Sequence, residues 1–176
     1  MGDSLMTMVA IFLAAILMFV FPLMSLSERT DNISQLAVQT ATTEFVDKIK
    51  TTGKITLNDY EGFLSTITAT GNSFEVDLLV QQLDENPGVK TTQVESTKIG
   101  ENLYYNLYTS QVLDDLYDNN RKVLKEGDIV SVTVKNTNQT IAQILRNFFY
   151  MVSGDESYQI AGKHSGVVAV NGSTNN

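Results

Sequence analysis

From Leu5 to Leu26 the chain reads LMTMVAIFLAAILMFVFPLMSL, 22 residues without a charge and apolar at every position except Thr7, Pro22 and Ser25. No other feature constrains the fold as strongly. At a helical rise of about 1.5 Å per residue the stretch reaches roughly 33 Å, enough to cross the hydrocarbon core of a bilayer. The 149 residues beyond Ser27 are too few to bury easily a helix of that length that is greasy on every side. A cleaved secretory signal would carry a basic amino-terminal region, a shorter apolar run and a small-residue cleavage site. MGDS contains no basic residue, and the run is long. The sequence therefore predicts a membrane anchor over residues 1–27, with Leu5, Ala10, Ala14, Ala15, Leu17, Phe21 and Pro22 on its surface. The alanines are small enough to admit another helix closely.

Charge is distributed accordingly. The whole chain has 12 basic and 20 acidic residues, and Asp3 is the only charge before Glu28. Residues 28–176 thus hold 12 basic and 19 acidic groups, a net of -7. An acidic domain without Lys/Arg runs lacks the basic footprint that nucleic acid requires. The absence of Cys excludes disulfide frameworks, thiolate nucleophiles and Cys-ligated metals, and a single His leaves little for acid–base chemistry near neutrality. Orientation is weakly encoded, since Arg29 alone flanks the apolar run closely. With only four residues ahead of the run, the expectation is a single pass through the cytoplasmic membrane with the carboxy-terminal domain outside.

Pro22 removes a backbone donor and is expected to kink or locally break the helix, which then resumes. Over 28–50 the positions Ile33, Leu36, Ala37, Thr40 or Ala41, Glu44 or Phe45, and Ile49 make an interrupted amphipathic stripe. Gly53, after Lys48 and Lys50, is a plausible stop. A second helix should start at Thr56, placing Tyr60, Phe63, Leu64 and Ile67 on one face and ending at Gly71-Asn72. Phe74, Val76, Leu78 and Val80 alternate with polar residues as a half-buried strand does. A turn at Asp84–Gly88 leads to a polar strand over 89–97. Residues 102–120 suit a strand running into a helix with Val112, Leu113, Leu116 and Tyr117 inside. Ile129–Lys135 is a further strand, and Ile141, Ile144, Leu145, Phe148 and Phe149 have helical spacing. A closing strand pair or one bulged strand, broken by Gly162 and Gly166, completes the chain. The predicted class is α+β: a long amino-terminal helix, transmembrane then amphipathic, lying on a small antiparallel sheet with two or three short helices.

This arrangement resembles the pilin-like proteins of type IV systems, especially the TadE/TadF-like minor pilins of tight-adherence (Flp) pili. The resemblance is carried by the apolar run with Pro22, its helical continuation to Lys50, and GDIVSVTV followed by YQIAGKHSGVVAVNG. It implies a structural or assembly subunit of a surface pilus or secretion apparatus, with the bilayer and other pilin-like subunits or assembly proteins as partners. Family prepilins are cut after Gly or Ala and have Glu at the fifth mature position. A cut after Gly2 would put Thr7 there, a departure that favours a non-polymerising pseudopilin.

Chemistry is sparsely encoded. His164, Ser165 and Asp155 are the residue types of a triad, but a nucleophile elbow is missing and adjacent strand residues face opposite ways. Asp114, Asp115, Asp118 and Asn120 suggest a cation loop, yet Lys122 occupies the fifth position of that pattern. These read as a surface histidine and a solvated helix end. No catalytic residue, metal or cofactor is assigned, and no small-molecule substrate is evident. Most of Tyr104, Tyr105, Tyr108 and Tyr117 are expected in the core. Phe148, Phe149 and Tyr150 form a candidate interaction patch. An anchored extracytoplasmic binding or sensor domain, using the sheet as its recognition surface, is the alternative function.

Overall fold

The computed structural model describes residues 2–84, 104–150 and 160–173. Helix α1 runs from Gly2 to Thr52 and is unbroken at Pro22, so the expected local break does not occur. The helical bonds on either side of the proline carry the geometry across its missing donor. Gly53 ends the helix with φ +66°, its N–H donating to the Ile49 carbonyl at 2.8 Å. Only a residue without Cβ adopts that conformation at no steric cost.

Three short helices and six strands follow among the described residues. They are β1 (Lys54–Thr56), α2 (Leu57–Thr68), β2 (Phe74–Leu83), β3 (Tyr104–Tyr108), α3 (Thr109–Asn119), β4 (Arg121–Val123), β5 (Ile129–Asn136), α4 (Ile141–Tyr150) and β6 (Ala161–Val167). The main sheet is antiparallel throughout, in the order β3-β2-β5-β6, and β1 pairs with β4 in a separate two-stranded ribbon. Thr56 caps α2 by accepting from the Asp59 N–H at 3.1 Å. The turn and polar strand expected over 85–97 lie outside the described residues.

The core lies between α1, α2, α3 and one sheet face. Val38, Ala41, Phe45, Val46 and Ile49 of α1 meet Val130, Val132 and Val134 of β5 together with Leu78 and Val80 of β2. The β5 valines alternate inward as the period of two requires. Phe45 stacks on Phe63 of α2 with ring centroids 4.6 Å apart. Thr109 at the start of α3 stitches that helix to the sheet, its hydroxyl accepting from the Leu78 N–H at 2.9 Å.

Several sequence expectations are corrected here. The expected inward stripe of α1 holds at Ala41, Phe45 and Ile49 but not at Ile33 and Leu36, which are 62% and 65% exposed. Ser27, Asp31 and Ser34 are buried instead, and the apolar stripe begins only at Val38. Tyr117 is exposed, leaving Val112 and Leu116 as the buried face of α3. Tyr104, Tyr105 and Tyr108 are also exposed, because β3 is the sheet's edge strand and its rings lie outside the α1-covered core. Gly162 and Gly166 do not break the last strand: β6 pairs with β5 in continuous register from Ala161 to Val167. The glycines sit where α1 crosses. A Cβ at Gly162 would stand 2.8 Å from Thr42 Oγ1, and one at Gly166 would run into the Lys50 side chain.

Candidate functional site

The first half of α1 is one apolar surface. Leu5, Ala10, Ala14, Ala15, Leu17, Phe21 and Pro22 are all exposed, and no residue of the most apolar window is buried against the rest of the chain. Thr7 satisfies its hydroxyl within the helix by donating to the Asp3 carbonyl at 2.7 Å. Among the described residues this is the one helix long and apolar enough to cross a membrane. It passes without interruption into the helix that builds the core of the domain, so the boundary expected at residue 27 falls inside an element.

Where the apolar run ends, α4 docks on α1 through polar groups. Thr140 and Gln143 form a reciprocal cap: the Thr140 N–H donates to Gln143 Oε1 at 3.0 Å, and the Gln143 N–H donates to Thr140 Oγ1 at 3.2 Å. The same Thr140 hydroxyl donates to the buried Asp31 carboxylate at 2.6 Å. Arg146 pairs with Glu28 at 3.1 Å. One turn further along α1, Gln35 accepts from the Ala161 N–H at 2.8 Å and donates to the Ala161 carbonyl, so a side chain completes the end of β6. Burying this joint is tolerable because its polar atoms are paired. Of the positions with helical spacing, Ile141 and Ile144 are 59% and 52% exposed, whereas Ala142 and Gln143 are buried. The Thr-x-x-Gln spacing before an apolar run was the available signal for this cap, and sequence reasoning missed it. Phe148, Phe149 and Tyr150 fall in the last turn of α4, and their side chains lie outside the described residues.

Among the described residues the sheet face away from α1 is open. Tyr104 and Tyr108 of β3, Gln81 of β2, Ser131 and Thr133 of β5, and Lys163 and Ser165 of β6 point the same way by their pairing. Tyr108, Thr109, Asp77, Ser131, Thr133 and Lys163 line a shallow cleft there.

The residue types of a triad are not assembled. His164 lies beneath α1, with Nε2 3.6 Å from Asp47 Oδ1, while the neighbouring Ser165 is exposed on the opposite sheet face. His164 is thus half-buried at the helix–sheet contact and is not a plain surface histidine. Asp155 lies outside the described residues. The Lys50 hydrogen bond and the nearby charges of Lys50 and His164 hold the Asp47 carboxyl below its ordinary value, against a smaller opposing effect of burial. The acidic run around Asp118 is the end of α3: Asp115 pairs with Lys122, and Asn120 closes the helix in the left-handed conformation at φ 58°. Among the described residues no group of three or more His, Asp or Glu could hold a metal ion.

No family model, no curated protein and no solved structure matches the chain.

Proposed function

We propose that this chain is a membrane-anchored structural or assembly subunit, of the minor-pilin or pseudopilin kind, serving a surface pilus or a secretion apparatus. In this reading α1 crosses the cytoplasmic membrane once, the domain stands outside it, and the protein works through contacts with neighbouring subunits and not by catalysis. One observation carries the proposal: a single helix of 51 residues is apolar and uncovered over its first half and forms the spine of the folded domain over its second. Such a helix transmits a position in the bilayer rigidly to the domain. Ala10 and Ala14, one turn apart, leave a place for a second helix to approach closely. The test is mild crosslinking of the full-length protein in native membranes, followed by copurification. Adducts with other single-span, pilin-like or assembly proteins are expected. A membrane protein that remains monomeric and without adducts would contradict the assembly role.

The open sheet face favours a second reading, an anchored binding or sensor domain. Its tyrosines, its paired hydroxyls and Lys163 make a mixed aromatic and polar surface of the kind that binds polymers or peptides. That reading predicts a ligand-dependent rise in melting temperature for the detergent-solubilised protein, abolished by Tyr108→Ala.

A further inference from the structure

Helix α4 turns two isoleucines to the outside. Ala142 and Gln143 are buried, Gln143 closing the cap with Thr140, and Arg146 is ion-paired with Glu28 of α1, while Ile141 and Ile144 face outward beside Asn147. In water that orientation forfeits the burial that normally holds a short helix to its domain. The position of α4 along α1 supplies a reason. Ile141 lines one cleft together with Leu23 and Leu26, the last apolar residues of the long run, and Asp31 receives the Thr140 hydroxyl about 7.5 Å further on at the helical rise. A run of roughly 33 Å placed across a hydrocarbon core of about 30 Å puts Leu26 at the edge of that core. The first turn of α4 then lies at headgroup level, with Ile141 adjoining the span's own apolar surface and Ile144 exposed about one turn further along.

We propose that α4 is an interfacial helix that rests on the lipid bilayer, Ile141 and Ile144 entering the boundary between headgroups and acyl chains. The occupant of this face is lipid, because the face adjoins the segment that lipid already surrounds. This inference rests on the anchor reading above. Its consequence is mechanical: with α1 as the post and α4 as a foot, tilting of the domain on its span is restricted, and the open sheet face is held at a set angle to the membrane.

The chain has no Cys, so single labels can be placed without background. Full-length Phe12→Cys, Ile141→Cys, Ile144→Cys and Tyr117→Cys proteins would each carry an NBD fluorophore and be reconstituted into phosphatidylcholine vesicles with or without brominated acyl chains. Phe12 reports the span, and Tyr117 reports the far end of the domain, beside the β1–β4 ribbon. The expected result is blue-shifted emission at 12, 141 and 144. Bromolipid quenching at 141 and 144 should exceed that at 117 by at least about twofold, as insertion to about 5–10 Å requires. Quenching at 12 without quenching at either 141 or 144 overturns the interfacial helix and leaves the anchor standing. A blue shift at 141 and 144 without lipid quenching means protein covers the face, which also overturns it. Loss of quenching at 12 as well removes the anchor reading itself.

Discussion

Gly53 is where the long helix is closed by the other end of the chain. A Cβ there would lie 2.5 Å from both the Gly172 N and the Val170 carbonyl oxygen, and the backbone is already left-handed. The Gly53 carbonyl accepts from the Leu124 N–H at 2.8 Å, and the Gly172 N–H donates to the Leu124 carbonyl at 2.9 Å, so three segments meet at one small residue. Gly53→Ala should therefore cost at least about 2 kcal/mol, the top of the range for one left-handed residue, because the close contacts add to that strain, measured as the shift in chemical unfolding in detergent. Asp128 is a second such point. Its buried carboxylate accepts from the Leu83 N–H at 3.1 Å and the Lys125 N–H at 2.9 Å. Asp128→Ala removes both of these hydrogen bonds and should cost about 1–3 kcal/mol. Asp59 makes the fold sensitive to acid. Burial pushes its carboxyl up, but hydrogen bonding by Lys48 and the Thr56 side chain outweighs burial and holds it below the ordinary value. A depressed carboxyl contributes stability above the unfolded-state value and loses it as pH falls through the folded one. The melting temperature should drop as pH falls below about 4, and less steeply in Asp59→Asn.

At the scale of elements, α1 and α2 are joined by the Phe45–Phe63 stack and by Tyr60, 6.3 Å from Phe45 between ring centroids. Phe45→Ala should destabilise the domain by about 3–5 kcal/mol, whereas Leu36→Ala, on the exposed side of the same helix, should cost under about 1 kcal/mol. The contrast tests the corrected helix face directly. Legibility followed what each element packs against. Strands β2 and β5 were legible because a buried sheet face imposes a period of two on Val, Leu and Ile. Helix α2 was legible from Thr56 and from Tyr60, Phe63 and Ile67. The stretch of α1 just beyond the apolar run was misread because it meets α4 through polar pairs, Asp31 with Thr140 and Glu28 with Arg146, and there Ser27, Asp31 and Ser34 are buried while Ile33 and Leu36 are exposed. Gly162 and Gly166 were misread as strand breakers because their meaning lies in Val38, Thr42 and Lys50, more than a hundred residues away.

For the whole molecule, the anchor reading makes a simple demand on the apolar run. An arginine near the middle of a span costs about 2.5–3.5 kcal/mol on insertion scales. Leu13→Arg should move much of the protein from the alkali-resistant membrane fraction to the soluble or aggregated fraction. The same change on the domain surface, at Thr66, should leave the distribution as it was. Equal partitioning of both variants with the unchanged protein would argue against a span.

The sequence by itself determined the long apolar helix, the acidic domain behind it and the α+β class, because hydropathy, charge and strand period are local properties of the chain. Tertiary structure alone decided which side of α4, and of α1 just beyond the apolar run, faces inward. It placed the tyrosines of β3 on an open edge, turned His164 toward Asp47 and away from Ser165, and set α4 with its isoleucines outward beside Leu23 and Leu26. Those outcomes depend on which partners meet across long separations in the chain, and a residue's polarity does not say whether its neighbour in space is valine, aspartate or lipid.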